Sequence, residues 1–73
     1  LDVYGRVCAV LVGLAEESNG VLRVAERLTQ QDIADRVGAS REMVSRVMKD
    51  LSLQGLIEEG GGRILLREKI HLI

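Results

Sequence analysis

The chain has 73 residues, which suffices for one small domain, with 47% apolar and 29% charged residues. This balance excludes a disordered segment, and the sequence has no apolar run of about 18 residues that would predict a membrane-spanning helix or a membrane partner. The formal net charge of −1 counts against binding of nucleic acid, since such domains are usually basic. Basic side chains are nevertheless concentrated between residues 40 and 49.

The cysteine and histidine content excludes a recognisable metal site. Cys8 lies in an apolar run, where a free cysteine is expected to be a small buried residue. It is the one cysteine of the chain and cannot form an internal disulfide, which favours a reducing cytoplasm. His71 lies near the C-terminus, and we expect no functional role for it. No nucleophile–base set is evident, so an enzyme is not expected. Because the chain begins at Leu1 rather than Met, we expect it to be part of a longer protein with upstream sequence.

The first predicted element is a helix from Leu1 to Glu17, in which apolar residues recur at spacings of three and four. The turn-forming residues 18–20, Ser-Asn-Gly, should end it. Residues 21–28 begin with an apolar run that is too short for its periodicity to distinguish a helix from a strand. We favour a short strand there.

Two further helices are predicted on either side of a tight turn. Thr29 is a suitable N-cap for the first, with Asp32 completing a capping box, and Gly38 should end it in a left-handed conformation. Ser40 is the N-cap of the second helix, which should extend to about Gln54. This arrangement predicts a helix-turn-helix.

The second of these helices separates into two faces at about 100° per residue. The apolar residues expected to face the core are Val44, Val47, Met48 and Leu51. The polar residues expected on the opposite, exposed arc are Arg41, Glu42, Ser45, Arg46 and Lys49. Any amphipathic surface helix shows this separation, so it does not by itself establish a function.

The segment after these helices predicts a β-hairpin, with strands at 56–59 and 63–67 and a glycine tip at 60–62. A hairpin directly after a helix-turn-helix is a wing. The predicted fold class is therefore mainly α with a small β-hairpin, a winged helix-turn-helix spanning residues 1–73 as one domain. Residues 68–73 form a short tail of undecided structure.

The exposed arc has the chemistry of a DNA reader. Arginine pairs bidentately with the O6 and N7 acceptors of guanine, and glutamate accepts from the N4 amino group of cytosine. Arg41, Glu42 and Arg46 are therefore candidates for reading base pairs in a major groove. The alternative is that Glu42 and Arg46, four residues apart, form only a surface ion pair.

Phosphate contacts would hold such a helix in register. The polar and basic candidates, on both helices and the wing, are Thr29, Gln30, Gln31, Ser40, Ser45, Lys49 and Arg63. Glu58 and Glu59 are unfavourable beside phosphates, so at least one should point away from DNA. Tyr4 is the sole aromatic residue, which favours duplex DNA over single strands or RNA. A winged-helix protein-interaction module without DNA contact is the alternative.

The segment from Ser40 to Leu51, SREMVSRVMKDL, resembles the recognition helix of the Crp/Fnr superfamily of bacterial transcription regulators, in their C-terminal DNA-binding domain. The resemblance covers nearly the whole chain. It implies that Arg41, Glu42 and Arg46 read G·C pairs and that Ser40 touches phosphate. Met43 stands where some members have a small polar residue that contacts phosphate, so that contact is not carried over.

The resemblance also implies features outside this chain. Family members have an upstream effector domain and a dimerisation helix, so we expect a homodimer whose two half-sites on operator DNA lie one helical turn apart, roughly 34 Å. The effector stays unknown, with a cyclic nucleotide as one candidate, and RNA polymerase is a candidate further partner. No cofactor is expected in this domain itself.

Overall fold

The computed structural model of the protein describes residues 2–67 and contains three helices and one four-stranded antiparallel sheet. In chain order the elements are α1 (Val3–Leu14), β1 (Ala15–Ser18), β2 (Val21–Val24), α2 (Gln30–Val37), α3 (Arg41–Leu53), β3 (Ile57–Gly60) and β4 (Arg63–Leu66). The winged helix-turn-helix expected from the sequence is confirmed. The C-terminal tail and His71 lie outside the described residues.

The first helix is shorter than its apolar spacing predicts. The prediction that it continues to Glu17 is wrong, because α1 ends at Leu14 and the next four residues form β1. Strand β1 pairs with β2 through a two-residue turn in which Asn19 and Gly20 have φ angles of 54° and 77°. Positive φ at both positions is typical of the type I′ hairpin turn, for which Asn-Gly is a strong signal. The strand predicted within 21–28 is present as Val21–Val24.

The wing belongs to a larger sheet than the two-stranded hairpin that the sequence predicts. The strand order is β1-β2-β4-β3, so β4 pairs with both β2 and its hairpin partner β3. Gly61 and Gly62 form the tight turn at the tip of the wing. Alternate residues of β4, Ile64 and Leu66, are buried, as the pleat of a sheet with one covered face requires. The wing is thereby fixed to the rest of the domain by strand pairing.

The core lies between the three helices and the inner face of this sheet. The large side chains with less than 2% exposure, contributed by every helix and by two strands, are Val7, Leu11, Val24, Ile33, Val44, Met48, Leu51 and Ile57. Cys8 is buried among them as expected, and burial raises the pKa of its thiol. The Arg6 guanidinium on α1 donates to the carbonyl oxygen of Val37 over 2.8 Å, which ties α1 to the end of α2. No helix within residues 2–67 is long and apolar enough to cross a bilayer.

Candidate nucleic-acid interface

Helix α2 begins at a reciprocal capping box. The Thr29 hydroxyl oxygen accepts from the backbone N–H of Asp32 over 3.0 Å, and an Asp32 carboxylate oxygen accepts from the backbone N–H of Thr29 over 2.9 Å. Because that backbone hydrogen bond favours the charged form, the pKa of Asp32 is lowered. These bonds fix where α2 starts, as the sequence predicts.

The turn between α2 and α3 is set by one glycine and one cap. Gly38 has φ 73° and ψ 38°, and its N–H donates to the carbonyl of Ala34 over 2.9 Å. Ala34 is 1% exposed, which allows α2 and α3 to pack closely. Ser40 then caps α3, since its hydroxyl oxygen accepts from the backbone N–H of Met43 over 3.2 Å. The expected helix-turn-helix therefore follows from local hydrogen bonds and one left-handed residue.

Helix α3 has one buried and one exposed face. Val44, Met48 and Leu51 have no exposed surface, and Val47 is half-buried. The five polar residues of the predicted arc, all of them exposed, are Arg41, Glu42, Ser45, Arg46 and Lys49. The structure therefore brings these side chains together on one surface of one helix.

The three candidate base-reading side chains are available for an external partner. Within residues 2–67, the side chains of Arg41, Glu42 and Arg46 make no hydrogen bond or ion pair with another residue, so the alternative Glu42–Arg46 ion pair is not formed. Arg41 and Arg46 are five residues apart, or about 7.5 Å along the helix axis. That spacing corresponds to about two base-pair steps of 3.4 Å each. The arrangement has the dimensions to address two or three adjacent base pairs.

The candidate phosphate contacts on the helices differ in how much donor capacity they keep. Ser40 and Thr29 use their hydroxyl oxygens as acceptors in caps, so each O–H remains a donor for a phosphate oxygen. One amide N–H of Gln31 is occupied, since its Nε2 donates to Asp35 over 2.9 Å. Gln30 is half-buried, whereas Ser45 and Lys49 are exposed.

Two arginines connect the wing to the loop before α2. Arg63, a candidate phosphate contact, donates from Nη1 to the carbonyl oxygen of Ala25 over 2.6 Å. Arg27 donates in the opposite direction, from Nη2 to the carbonyl oxygen of Gly61 over 3.3 Å. A Cβ at Gly62 would lie 3.4 Å from Cζ of Arg27, so the wing tip passes directly under that guanidinium. Part of the donor capacity of Arg63 therefore positions the wing.

Sequence reasoning missed Arg27. This exposed cation stands between the tip of the wing and the N-terminus of α2, where candidate phosphate contacts lie. The available signal was a basic residue two positions before the Thr29 N-cap, in a segment assigned only to a short strand.

The two acidic residues of the wing lie in different environments. Glu58 pairs across the hairpin with Leu65 on the outer side of the sheet, and its carboxylate accepts from Arg67 over 2.8 Å. Glu59 instead lines an open cleft of about 270 Å³ between the wing, α2 and α3, together with Arg27 and Thr29. Glu58 therefore lies away from the α2 N-terminus, and Glu59 faces it. The described residues contain no cluster of side chains suited to hold a metal ion.

Known proteins with a helix-turn-helix domain of this kind are similar to the chain in sequence. The family model described as a Crp-like helix-turn-helix domain matches residues 5–72. A CRP-like cAMP-activated global transcriptional regulator of Mycobacterium tuberculosis is 40% identical over 75 residues, covering 97% of this chain and 34% of the relative. The cAMP-activated global transcriptional regulator Vfr of Pseudomonas aeruginosa is 41% identical over 64 residues, covering 84% of this chain and 30% of the relative.

A solved structure agrees over the same extent. A CRP/FNR-family transcriptional regulator from Thermus thermophilus superposes with a TM-score of 0.78 at 30% identity, covering 97% of this chain and 38% of that chain. The chain thus spans about a third of the length of the curated relatives described above. These relatives are named as transcriptional regulators rather than as enzymes.

Proposed function

Because this chain belongs to the family of Crp-like helix-turn-helix domains, we propose that it is the sequence-specific DNA-binding domain of a transcription regulator. Helix α3 enters the major groove of double-stranded DNA, and its N-terminal part meets the base edges. The observation that supports this most directly is the exposed set Arg41, Glu42 and Arg46 on one face of α3, whose side chains have no ion-pair or hydrogen-bond partner within residues 2–67. The buried opposite face holds that helix rigidly against the core.

The three side chains have distinct roles in this proposal. Arg41 and Arg46 donate bidentately to guanine O6 and N7, and Glu42 accepts from the N4 amino group of cytosine. Each good pair contributes about 1–3 kcal/mol of discrimination against a wrong base. Because these three side chains form no ion pair within residues 2–67, no such pair has to be broken there when they enter the groove.

Phosphate contacts position the helix without reading sequence. We assign this role to Lys49, Ser45 and Ser40 on α3 and its cap, and to Thr29, Gln30 and Gln31 at the start of α2. Arg63 contributes through the donors that it does not use on Ala25. The start of α2 suits a phosphate because its first backbone N–H groups have no partner within the helix.

The regulator as a whole extends beyond this domain. We propose that it is cytoplasmic and acts as a homodimer through segments outside this chain, binding two half-sites of an operator one helical turn apart. The cAMP-activated relatives support a small effector, such as a cyclic nucleotide, bound outside the described domain. RNA polymerase is the partner that a transcription activator would require.

A duplex titration tests the proposal. The chain is titrated with a palindromic duplex carrying GTGA-type half-sites and with a scrambled duplex of equal length, at about 50 and about 200 mM salt. We expect preference for the palindrome, an affinity that falls steeply with salt, and NMR shifts concentrated on α3 and the α2 N-terminus. Absent or salt-independent binding in a dimerised form of the chain would instead support a protein-interaction module.

A further inference from the structure

An acidic side chain, Asp50, lies one helical turn beyond a candidate base-reading residue of α3. Asp50 and Arg46 are four positions apart, a spacing at which opposite charges on a helix commonly form an ion pair. Side chains on a helix lean toward its N-terminus, onto the residue four positions before. Of the residues three or four positions from Asp50, only Arg46 is a cation. An ion pair between these two residues is therefore the local expectation.

The structure does not contain that ion pair, because other groups hold the carboxylate. Within residues 2–67, the side chains of Arg46 and Asp50 do not pair with each other. Oδ2 of Asp50 instead accepts from the Tyr4 hydroxyl over 3.0 Å and from Nε2 of Gln54 over 2.6 Å. The same Nε2 also donates to the Tyr4 oxygen over 3.1 Å. The Asp50 carboxylate is thus held by α1 and by the residue that caps α3.

Two neutral donors and one cation compete for this carboxylate. A surface ion pair between residues four apart is weak, and the order with the cation nearer the N-terminus is the less favourable one. Two hydrogen bonds to a charged acceptor outweigh it. Resting on the proposed function, we propose that Tyr4 and Gln54 are positioning residues. They hold the Asp50 carboxylate away from Arg46 and so keep the Arg46 guanidinium free to donate to a guanine.

This role requires no contact between the two positioning residues and DNA. Without their donors, Asp50 would take Arg46 as its partner, and that ion pair would have to break before Arg46 could reach a base. The affinity lost in this way is confined to the base pair that Arg46 reads. A lost phosphate contact or a general change of charge would instead act on every sequence.

A cycle of four proteins tests the proposal. They are the wild type, Asp50→Asn, the double variant Tyr4→Phe/Gln54→Leu, and the variant with all three changes. Each is titrated with the operator duplex and with a duplex changed only at the base pair where Arg46→Ala loses discrimination. We expect the double variant to lose about two- to fivefold of its preference for the operator, the range of an exposed ion pair. Adding Asp50→Asn should restore that preference.

Two controls separate this role from general effects on charge or folding. The preference is a ratio of two affinities of one protein, so partial unfolding cancels from it. Asp50→Asn alone should leave the ratio at the wild-type value, although it removes one negative charge. Arg6→Met removes a different bond of α1, the one to the Val37 carbonyl, without freeing Asp50, and should also keep the ratio. In the free protein, the NMR signal of the Arg46 Nε–H should shift in the double variant and return when Asp50→Asn is added.

The outcomes separate this inference from the function on which it rests. If the wild type prefers the operator and the double variant keeps that full preference, Tyr4 and Gln54 do not act through Arg46, and the proposed function stands. The same conclusion applies if Asp50→Asn does not restore a lost preference. The inference also fails if Arg46→Ala loses discrimination at no base pair, since there is then no base contact to protect. If no duplex is preferred over another, the inference and the proposed function are both overturned.

Discussion

The hydroxyl of Tyr4, in the first turn of α1, donates a hydrogen bond of 3.0 Å to Oδ2 of Asp50 near the end of α3. Gln54 completes a triangle, since its Nε2 donates to the Tyr4 oxygen over 3.1 Å and to the same Asp50 oxygen over 2.6 Å. Tyr4 is 46 positions from Asp50 and 50 positions from Gln54 along the chain. The start of α1 is therefore hydrogen-bonded to the C-terminal part of the proposed recognition helix.

This triangle predicts opposite effects on the titration of Tyr4. Burial, together with the hydrogen bond and charge of Asp50, raises the pKa of Tyr4, whereas the Gln54 amide lowers it. Asp50→Asn should move the Tyr4 pKa only part of the way down, because burial remains, and Gln54→Leu should move it up. Absorbance of the phenolate reports this directly, since the chain has one tyrosine and no tryptophan.

The raised pKa also has a consequence for stability. Because the folded-state pKa lies above the unfolded value of about 10, the contribution of Tyr4 is complete below that value and is lost as the pH rises through the folded pKa. Tyr4→Phe should remove this alkaline dependence of stability.

The titration of Tyr4 can contradict the triangle itself. Equal Tyr4 pKa values in the wild type and in Asp50→Asn would show that the Tyr4–Asp50 hydrogen bond does not form in solution.

Acid should weaken the domain through Asp32. The hydrogen bond from the Thr29 backbone lowers the pKa of Asp32, so its stabilising contribution is present above the unfolded value and is lost as the pH falls through the lower folded value. Asp32→Asn should flatten that part of the curve of unfolding free energy against pH. Denaturant titrations from about pH 7 to about pH 2 measure it. If Asp32→Asn loses unfolding free energy at acid pH as steeply as the wild type does, other carboxylates control acid unfolding.

Arg46 and Lys49 should differ in the kind of binding that they support. Arg46→Ala should cost about 1–3 kcal/mol and relax specificity at one base pair, because a base contact is lost. Lys49→Ala should weaken binding on every sequence and reduce the slope of log affinity against log salt by about one, because a phosphate contact is lost. Affinities on a set of single-base operator variants at several salt concentrations separate these patterns. A uniform loss for Arg46→Ala would contradict a base contact.

The two wing glutamates should affect DNA affinity unequally. Glu59 faces the cleft at the N-terminus of α2, where phosphate contacts are proposed, whereas Glu58 is paired with Arg67 on the outer side. Glu59→Gln should therefore tighten binding by roughly two- to fivefold at low salt, within the roughly 1 kcal/mol typical of exposed charges. Glu58→Gln is the isosteric control and should change affinity little. Equal gains for both variants would argue for a general charge effect.

Two glycines should respond oppositely to the same added methyl group. A Cβ added at Gly13 or at Gly38 would meet no other atom within 4 Å, so steric space does not distinguish them. Gly13→Ala lies within α1 and should stabilise the fold by about 0.4–1 kcal/mol. Gly38→Ala should destabilise it by about 1–2 kcal/mol, because its φ of 73° is left-handed. Urea midpoints measure both, and stabilisation by Gly38→Ala would rule out the turn geometry.

The sequence alone determined the helix-turn-helix because its signals act over short distances. The caps at Thr29 and Ser40 and the turn at Gly38 each depend on groups within a few residues, and the structure shows the expected bonds. The faces of α3 follow from a constant rotation per residue, so burial and exposure were predictable in the same way. The assignment of base and phosphate contacts remains a prediction for DNA-binding experiments.

Tertiary structure decided what depends on partners distant in the chain. The spacing of α1 predicts a helix through residue 17, yet residues 15–18 form a strand because β2 pairs with them and β4 extends that sheet. The different surroundings of Glu58 and Glu59, and the position of Arg27 over the wing tip, depend on the same pairing. Long-range strand register is set by the combined packing of the whole sheet on the helices, so no local pattern specifies it.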